Sequence, residues 1–378
     1  MHEPIDLRRV TSPLIERMDS DIASTLRKLE TSWSASSEMR QHRKLGIQAD
    51  LQAASNFLSV RYDEPIDPAR IFLTNGTQNA LLLLLSTLCS KGGTVLVEEM
   101  TYRQIRDVAN LLGLTLRSVA LDDCGIIPDA FEEACRLHRP QVLYCIPTVQ
   151  NPTASIMPLE RRVEIANIAR KHGVIIIEDE AQGLIPLNPP IPIGAIAPDI
   201  SWTITGLSKC LLVGLRIAFV VAPSGKGPTD ALGSFETMAF WYASGVAAAF
   251  VTRMIESGIA GELRNAIQQE ARHRQALAKE ILSLSVAKDH AGLHLWIANE
   301  EQSGTAMAEV AKAAGVLVRS AAEYALDPAV IRPGIRISLA DVPRDDLTRG
   351  LERLGLSLSS RCSPTGGQGE CKANEYED

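Results

Sequence analysis

The sequence has 378 residues, of which 46% are hydrophobic and 22% are charged, and its formal net charge is −7 at pH 7. This composition is ordinary for a globular protein of two or three domains, and it excludes collagen-like, low-complexity and wholly disordered chains. The acidic balance, 45 acidic against 38 basic residues, is unfavourable for binding nucleic acid or an anionic membrane, so we expect neither partner.

The seven cysteines include no Cys-x-x-Cys pair, which predicts reduced thiols rather than a disulfide framework or a zinc knuckle. The first residues, MHEPIDLRRV, lack the apolar core of a signal peptide. No apolar run approaches the ~20 residues of a transmembrane helix. We therefore expect a cytoplasmic protein with no membrane association and no metal site.

The chain begins with a polar, charge-balanced segment, residues 1–45, which we expect to pack with a small domain. From residue 46 to 245, short apolar runs alternate with helical stretches. The runs are continuously apolar, as in strands that are covered on both faces, which predicts a large α/β domain with a mostly parallel sheet. The predicted strands are Ile71–Thr74, Thr94–Glu98, Leu116–Leu121, Gln141–Ile146, Val174–Glu178, Trp202–Thr205 and Arg216–Val221.

Beyond residue 245 this alternation stops, which predicts a smaller α+β domain over residues 246–359. One or two long helices, broken near Gly258, lead to strands at Leu293–Ala298, Val316–Arg319 and Ile335–Leu339. The last residues, 360–378, contain almost no apolar side chains and are expected to form a disordered tail.

Four polar motifs lie where the predicted strands of the large domain end or begin, and ligands of open α/β sheets bind at strand ends. Lys209 follows the strand Trp202–Thr205, and Arg216 opens the next apolar run. A lone lysine at such a place is usually a surface residue. An arginine, however, is costly to bury without an anion, so the pair suits an aldehyde and a phosphate on one ligand.

The other three motifs each have a simpler structural interpretation as well. Asp179 ends a nearly continuous apolar strand, where it could pair with a cationic heteroaromatic nitrogen or cap a helix. Asn151 lies in Pro147–Thr153, which is also a favourable polar turn. The sequence Asn75–Gln78 opens a helix whose free backbone N–H groups could bind phosphate, although taken alone it is explained better by ordinary helix capping.

Together the motifs resemble the fold-type I pyridoxal-phosphate enzymes, most closely class I/II aminotransferases and the aminotransferase-like domains of MocR-type regulators. The resemblance covers roughly residues 45–350, and 28, 30 and seven residues separate Asn151, Asp179, Lys209 and Arg216 in turn. It implies a fold-type I α/β architecture, a pyridoxal 5'-phosphate cofactor and a homodimer. The motifs that carry it are Leu143–Thr153, Ile176–Asp179, Ser208-Lys209 and Gly214-Leu215-Arg216.

The resemblance also implies a role for each matching residue. Lys209 would hold the cofactor aldehyde as a Schiff base and serve as the base at the substrate Cα, Asp179 would pair with the ring nitrogen, and Tyr102 would stack on the ring. Arg336, together with Asn151, would bind the substrate carboxylate. The other residues implied to bind the cofactor are Gly76, Thr77, Gln78, Asn151, Gln182, Thr205, Ser208 and Arg216.

Two departures from the family pattern leave the reaction open. Gln182 stands where the family has a tyrosine, and Gly206 replaces a hydroxyl residue. The first hypothesis is an aminotransferase that acts on an L-amino acid and a 2-oxo acid. The alternatives are another pyridoxal-phosphate reaction, namely that of a lyase, racemase or oxidase, and a non-catalytic MocR-like sensor domain.

Overall fold

A computed structural model describes residues 3–32, 40, 43–225, 232, 238, 242–282, 292–327 and 332–359. The tail expected at residues 360–378 lies outside the described residues. Within them, no helix combines the length and the apolar character needed to cross a bilayer.

The strands of the described chain alternate with helices up to residue 221, after which helices predominate. The strands are β1 (Ile5–Asp6), β2 (Ile71–Thr74), β3 (Thr94–Glu98), β4 (Thr115–Val119), β5 (Leu121–Asp122), β6 (Gly125–Ile126), β7 (Val142–Cys145), β8 (Ile175–Asp179), β9 (Ser201–Gly206), β10 (Ala218–Val221), β11 (His294–Ala298), β12 (Val316–Leu317), β13 (Arg319–Ser320) and β14 (Gly334–Ser338). The α-helices are α1 (Met18–Ser32), α2 (Gln48–Tyr62), α3 (Thr77–Leu88), α4 (Gln104–Leu112), α5 (Pro128–His138), α6 (Leu159–His172), α7 (Ile193–Ile196), α8 (Gly245–Glu256), α9 (Ile259–Leu282), α10 (Gly304–Ala313) and α11 (Arg344–Ser359).

The large domain is built on one sheet with the strand order β2-β10-β9-β8-β7-β3-β4. All neighbouring strands are parallel except β10, which runs antiparallel to both β2 and β9. This confirms the predicted mostly parallel sheet. Because only β10 is reversed, the carboxyl ends of the other six strands lie along one edge, where the polar motifs follow them.

Helices cover both faces of this sheet, which explains why its strands read as continuous apolar runs. On one face, α3 and α4 pack over a cluster that includes Phe72, Tyr144, Ile177 and Trp202. On the other face, α5 and α6 cover the half of the sheet near β7 and β8, and α2, α8 and α9 cover the half near β2 and β10. A sheet enclosed in this way is a rigid platform for groups at its edge.

A second sheet, ordered β11-β14-β13, forms the centre of the small domain with α10 and α11. The N-terminal segment adds β1, which pairs in parallel with β12 of the small domain, and its helix α1 packs against α8. Residues of both domains and of this segment line one cavity at the edge of the large sheet.

The helix α9 belongs to both domains. Its first half contributes Ile259, Leu263 and Ile267 to the large-domain core, and its end contributes Ala278 and Leu282 to the small-domain core. Residue 246, where we expect the small domain to begin, lies at the start of α8, and the core changes only later, within α9. A helix of 24 residues is about 36 Å long, which is enough to reach both cores.

Candidate functional site

A cavity of about 360 Å³ lies at the edge of the large sheet where the parallel strands end. Its size is within the ~300–1,000 Å³ that small-molecule sites occupy. Most of the expected site residues follow β2, β3, β7, β8 and β9 at one edge, Arg336 comes from β14 of the small domain, and the structure brings them together at the cavity wall. These are Thr77, Gln78, Tyr102, Asn151, Asp179, Gln182, Ser208, Lys209, Arg216 and Arg336.

Two expected residues are not part of this lining. Gly76 lies just behind it, at the start of α3 and next to Arg216. Thr205 lies within β9 rather than beyond its end, so its side chain is enclosed, and its Oγ1 has no hydrogen-bond partner among the described residues. The structure therefore does not place Thr205 among the residues of the cavity wall.

Lys209 follows β9, and its amine faces the cavity. Burial lowers the pKa of Lys209 to about 8, and the nearby cations Arg336 and Arg9 contribute in the same direction. In the structure its Nζ donates a hydrogen bond to the carbonyl oxygen of Val10. A lysine with such a pKa is neutral to a greater extent at neutral pH than an ordinary lysine, and the neutral amine is the form that acts as a nucleophile or a general base.

Asp179 is the last residue of β8, and its side chain is almost fully buried. Its Oδ2 accepts a hydrogen bond of 2.8 Å from the Tyr144 hydroxyl, and its Oδ1 accepts one of 2.9 Å from the backbone N–H of Ala181. Burial raises the pKa of Asp179 to about 6 in spite of these two donors. Since it forms no salt bridge with a described residue, this carboxylate is suited to a cation supplied by a ligand.

The start of α3 and Arg216 form an anion-binding corner. Gly76 is the N-cap residue of the helix, with φ of +82°, and as a glycine it offers no side chain to cap the first N–H groups. A Cβ at this position would lie 3.3 Å from an Nη of Arg216, so the glycine leaves room for the guanidinium group. Free helix N–H groups beside an arginine are the chemistry that holds a phosphate.

Arg336, on β14 of the small domain, is a buried cation without a carboxylate partner among the described residues. One Nη donates a 2.9 Å hydrogen bond to Oδ1 of Asn151, and the other donates to the carbonyl oxygen of Arg8. Its Nε is buried and has no hydrogen-bond partner within the described part of the chain, and its guanidinium lies 5.3 Å from the ring centre of Tyr324. An unsatisfied arginine at a cavity wall is suited to a ligand carboxylate.

Tyr102 follows β3 and lies on the wall of the cavity. Its hydroxyl accepts a 2.7 Å hydrogen bond from Nε2 of Gln78. Burial raises the pKa of Tyr102, so the phenol stays neutral. The hydrogen bond to α3 holds the ring at the wall, where it can pack against a flat ligand.

Gln182 lines the cavity, but its amide group is engaged by the small domain. Its Oε1 accepts a 2.8 Å hydrogen bond from the backbone N–H of Leu293, and its Nε2 lies 3.0 Å from Nδ1 of His294. The other ring nitrogen of His294 lies 3.2 Å from the carbonyl oxygen of Gln150. The residue expected to contact the cofactor thus also connects the two domains.

The absence of a hydroxyl side chain at residue 206 has a steric cause. A Cβ on Gly206 would lie 2.5 Å from Cγ2 of Thr77, which is closer than carbon atoms can approach. Thr77 therefore occupies the space that the usual hydroxyl side chain would need.

One part of the cavity wall and one buried residue behind it are absent from the sequence-based expectations. The N-terminal segment contributes residues 8–11 to the wall, and nothing in its local sequence indicates that it returns to the site. Tyr144 belongs to the motif that carries the resemblance, but the resemblance implies no role for it. A single hydroxyl within the buried strand Val142–Cys145 is the signal that could have identified it.

The model of the family "Aminotransferase class I and II" matches residues 34–354 of this chain. Among solved structures, the kynurenine aminotransferase of Pyrococcus horikoshii, determined in complex with PMP, is similar with a TM-score of 0.83 and 21% identity, over 96% of this chain and 93% of that chain. The family match and this structural likeness confirm the resemblance inferred from the motifs and the expected fold class.

Curated relatives include both regulators and enzymes. An uncharacterized HTH-type transcriptional regulator of Bacillus subtilis (strain 168), YdeF, is 29% identical over 286 residues, which are 74% of this chain and 61% of the regulator. The mitochondrial kynurenine/alpha-aminoadipate aminotransferase of Rattus norvegicus is 30% identical over 179 residues, which are 44% of this chain and 42% of that enzyme. The chain thus spans about three fifths of the regulator and two fifths of the enzyme.

The close contact at Gly206 leads to a prediction about stability. Replacing Gly206 with Ala should lower the free energy of unfolding by about 1–3 kcal/mol, because the added methyl group overpacks the site against Thr77. Adding Thr77→Ser, which removes Cγ2 and keeps the hydroxyl, should restore most of the loss. Urea unfolding of the four proteins of this cycle measures both effects, and strictly additive losses would contradict the steric explanation.

Proposed function

Because this chain belongs to the class I and II aminotransferase family, we propose that it is a pyridoxal 5'-phosphate-dependent aminotransferase that moves an amino group between an L-amino acid and a 2-oxo acid. The observation that carries the proposal is the pairing of a buried amine with a buried carboxylate in one cavity. Lys209 has a lowered pKa and Asp179 a raised one, and each lacks a salt-bridge partner among the described residues.

The residues of the cavity fit this cofactor. The start of α3 and Arg216 would hold its phosphate, Asp179 would hold the positive charge of its ring nitrogen, and Lys209 would attach its aldehyde carbon. Asn151 and Tyr102 would bound the ring on two sides. When bound, pyridoxal phosphate supplies an electrophilic aldehyde carbon and a ring that accepts electrons from the substrate Cα.

The remaining work of the reaction falls to two basic residues of the chain, Arg336 and Lys209. Arg336 would bind the substrate α-carboxylate, since its Nε is unpaired and its charge is unmatched. This contact fixes the direction of the Cα–H bond. Lys209, neutral in part near its pKa of about 8, would take the proton from the substrate Cα and deliver it to the carbon atom of the cofactor that carries the aldehyde.

The likeness to an HTH-type regulator favours a second candidate function, a sensor domain that binds an amino acid without turning it over. The contacts of Gln182 also favour the sensor domain. Its amide group is engaged by Leu293 and His294, so it is not free to donate a hydrogen bond to the cofactor. A lyase, racemase or oxidase would use the same residues and differ in which bond at Cα breaks.

The test is a single half-reaction of the holoenzyme with each of the common L-amino acids. An aminotransferase releases the matching 2-oxo acid and leaves the cofactor in its amine form, both of which mass spectrometry detects. Arg336→Gln should lower kcat/KM about 10- to 100-fold, as expected for the loss of a charged hydrogen bond. Arg136→Gln is the control, because that arginine is exposed on α5 and, among the described residues, pairs with Glu133 alone.

The outcomes separate the candidates. A spectral change with no released 2-oxo acid would support the sensor domain. Consumption of the amino acid with the cofactor returned unchanged would support a lyase or racemase. If no amino acid changes the spectrum of a loaded protein, the aminotransferase proposal is wrong.

We further propose that the protein is a homodimer. A second, apolar cavity of about 850 Å³ adjoins the first, between the N-terminal segment, residues 212–216 and α8. Leu14 at its rim is 77% exposed, and Val246 is 42% exposed. Covering these side chains with a second copy would remove apolar surface from water next to the site.

Leu14→Glu should therefore shift the protein from dimer to monomer at micromolar concentration, because it places a charge in the covered face. Leu137→Glu is the matched control, since Leu137 is 67% exposed on the distant helix α5. Light scattering of the wild type and both variants measures the change. A wild-type protein that is already monomeric would contradict the proposal.

A further inference from the structure

Tyr144 is a buried residue outside the cavity wall whose only described hydrogen-bond partner is a site residue. It lies on β7 and is fully buried. Its neighbour across the strands is Ile177 of β8. Because side chains two residues apart on a strand share a face, Asp179 lies on the same face as Ile177, one step towards the edge of the sheet. The hydroxyl of Tyr144 bridges this diagonal and donates to Oδ2 of Asp179 over 2.8 Å.

The ring and the hydroxyl of Tyr144 have different surroundings. The ring packs in the apolar cluster under α3, which includes Phe72, Ile177 and Trp202. The hydroxyl needs a partner, because an unpaired polar group in such a place is costly. Burial keeps the pKa of Tyr144 well above its usual value, so the phenol remains a neutral donor. A phenylalanine would preserve the packing and remove only the donated hydrogen bond.

The hydrogen bond acts on the carboxylate in two ways. Tyr144 and the N–H of Ala181 hold one oxygen of Asp179 each, which fixes the plane of the carboxylate and leaves the remaining lone pairs for a ligand. A donor to an ionised carboxylate also favours the charged form over the neutral one. This second effect opposes burial, which on its own would favour the protonated acid.

We propose that Tyr144 is a positioning residue, which keeps Asp179 ionised and oriented towards the cationic ring nitrogen of the cofactor. The inference rests on the proposed function, since it concerns the carboxylate of the same site. It does not need turnover, because the affinity of the full chain for pyridoxal phosphate depends on the charge of Asp179. That affinity should fall as pH is lowered through the pKa of this carboxyl group.

The experiment measures the dissociation constant of pyridoxal phosphate between pH 5 and 8.5 by equilibrium dialysis. In Tyr144→Phe the acid limb of the profile should move about one pH unit upward, because loss of the donor raises the pKa of Asp179 further above its usual value. Tyr62→Phe is the matched control. Tyr62 is a buried tyrosine of the same domain, but its acidic neighbours are Glu178 and Glu180, so its profile should follow the wild type.

A second comparison removes the titrating group itself. Asp179→Asn should bind the cofactor weakly and without the acid limb, and adding Tyr144→Phe to it should change the profile no further. An unmoved limb in a folded Tyr144→Phe protein would overturn the inference, as would an equal shift in Tyr62→Phe. If the wild type binds no pyridoxal phosphate at all, the proposed function itself is wrong. If the wild type binds it and only the shift in Tyr144→Phe is missing, the inference about Tyr144 alone is wrong.

Discussion

The site depends on the burial of two opposite charges that do not neutralise one another. Asp179 and Lys209 follow neighbouring parallel strands, and each lowers the free energy of the other's charged form. They nevertheless form no salt bridge, and the loss of hydration on burial is the largest contribution to the pKa shift of each group. The amine is thereby shifted towards its neutral form and the carboxyl towards its protonated form. A ligand that brings a cation to Asp179 and an electrophile to Lys209 offsets the cost of burying both groups.

The surrounding structure maintains this arrangement through hydrogen bonds that are unrelated to any ligand. Tyr144 and Ala181 hold Asp179, Gln78 holds Tyr102, and Asn151 holds Arg336. The contacts of Asp179 and Tyr102 lie within the large domain, at or near the edge of a sheet that is packed on both faces. The large domain therefore presents Asp179 and Lys209 from a fixed platform, whereas Arg336 comes from the small domain and depends on how the domains meet.

Much of this could be predicted from sequence, because the signals were local. Seven continuous apolar runs gave the strands of the large sheet within two residues, and the polar residues that follow them had to share an edge. What the sequence could not provide were contacts between distant segments. The engagement of Gln182 by His294, the return of residues 8–11 to the cavity and the helix α9 shared by two cores have no local pattern. The clash that excludes a side chain at Gly206 likewise appears only when Thr77 is placed beside it.

The most direct test of the account is to locate the covalent link. The purified protein is loaded with pyridoxal phosphate, reduced with borohydride and digested, and the peptides are mapped by mass spectrometry. We expect the phosphopyridoxyl group on Lys209 and on no other lysine, with no modified peptide from Lys209→Ala. Attachment to a different lysine, or equal modification of the variant, would contradict the central claim that this buried amine is the one that captures the cofactor.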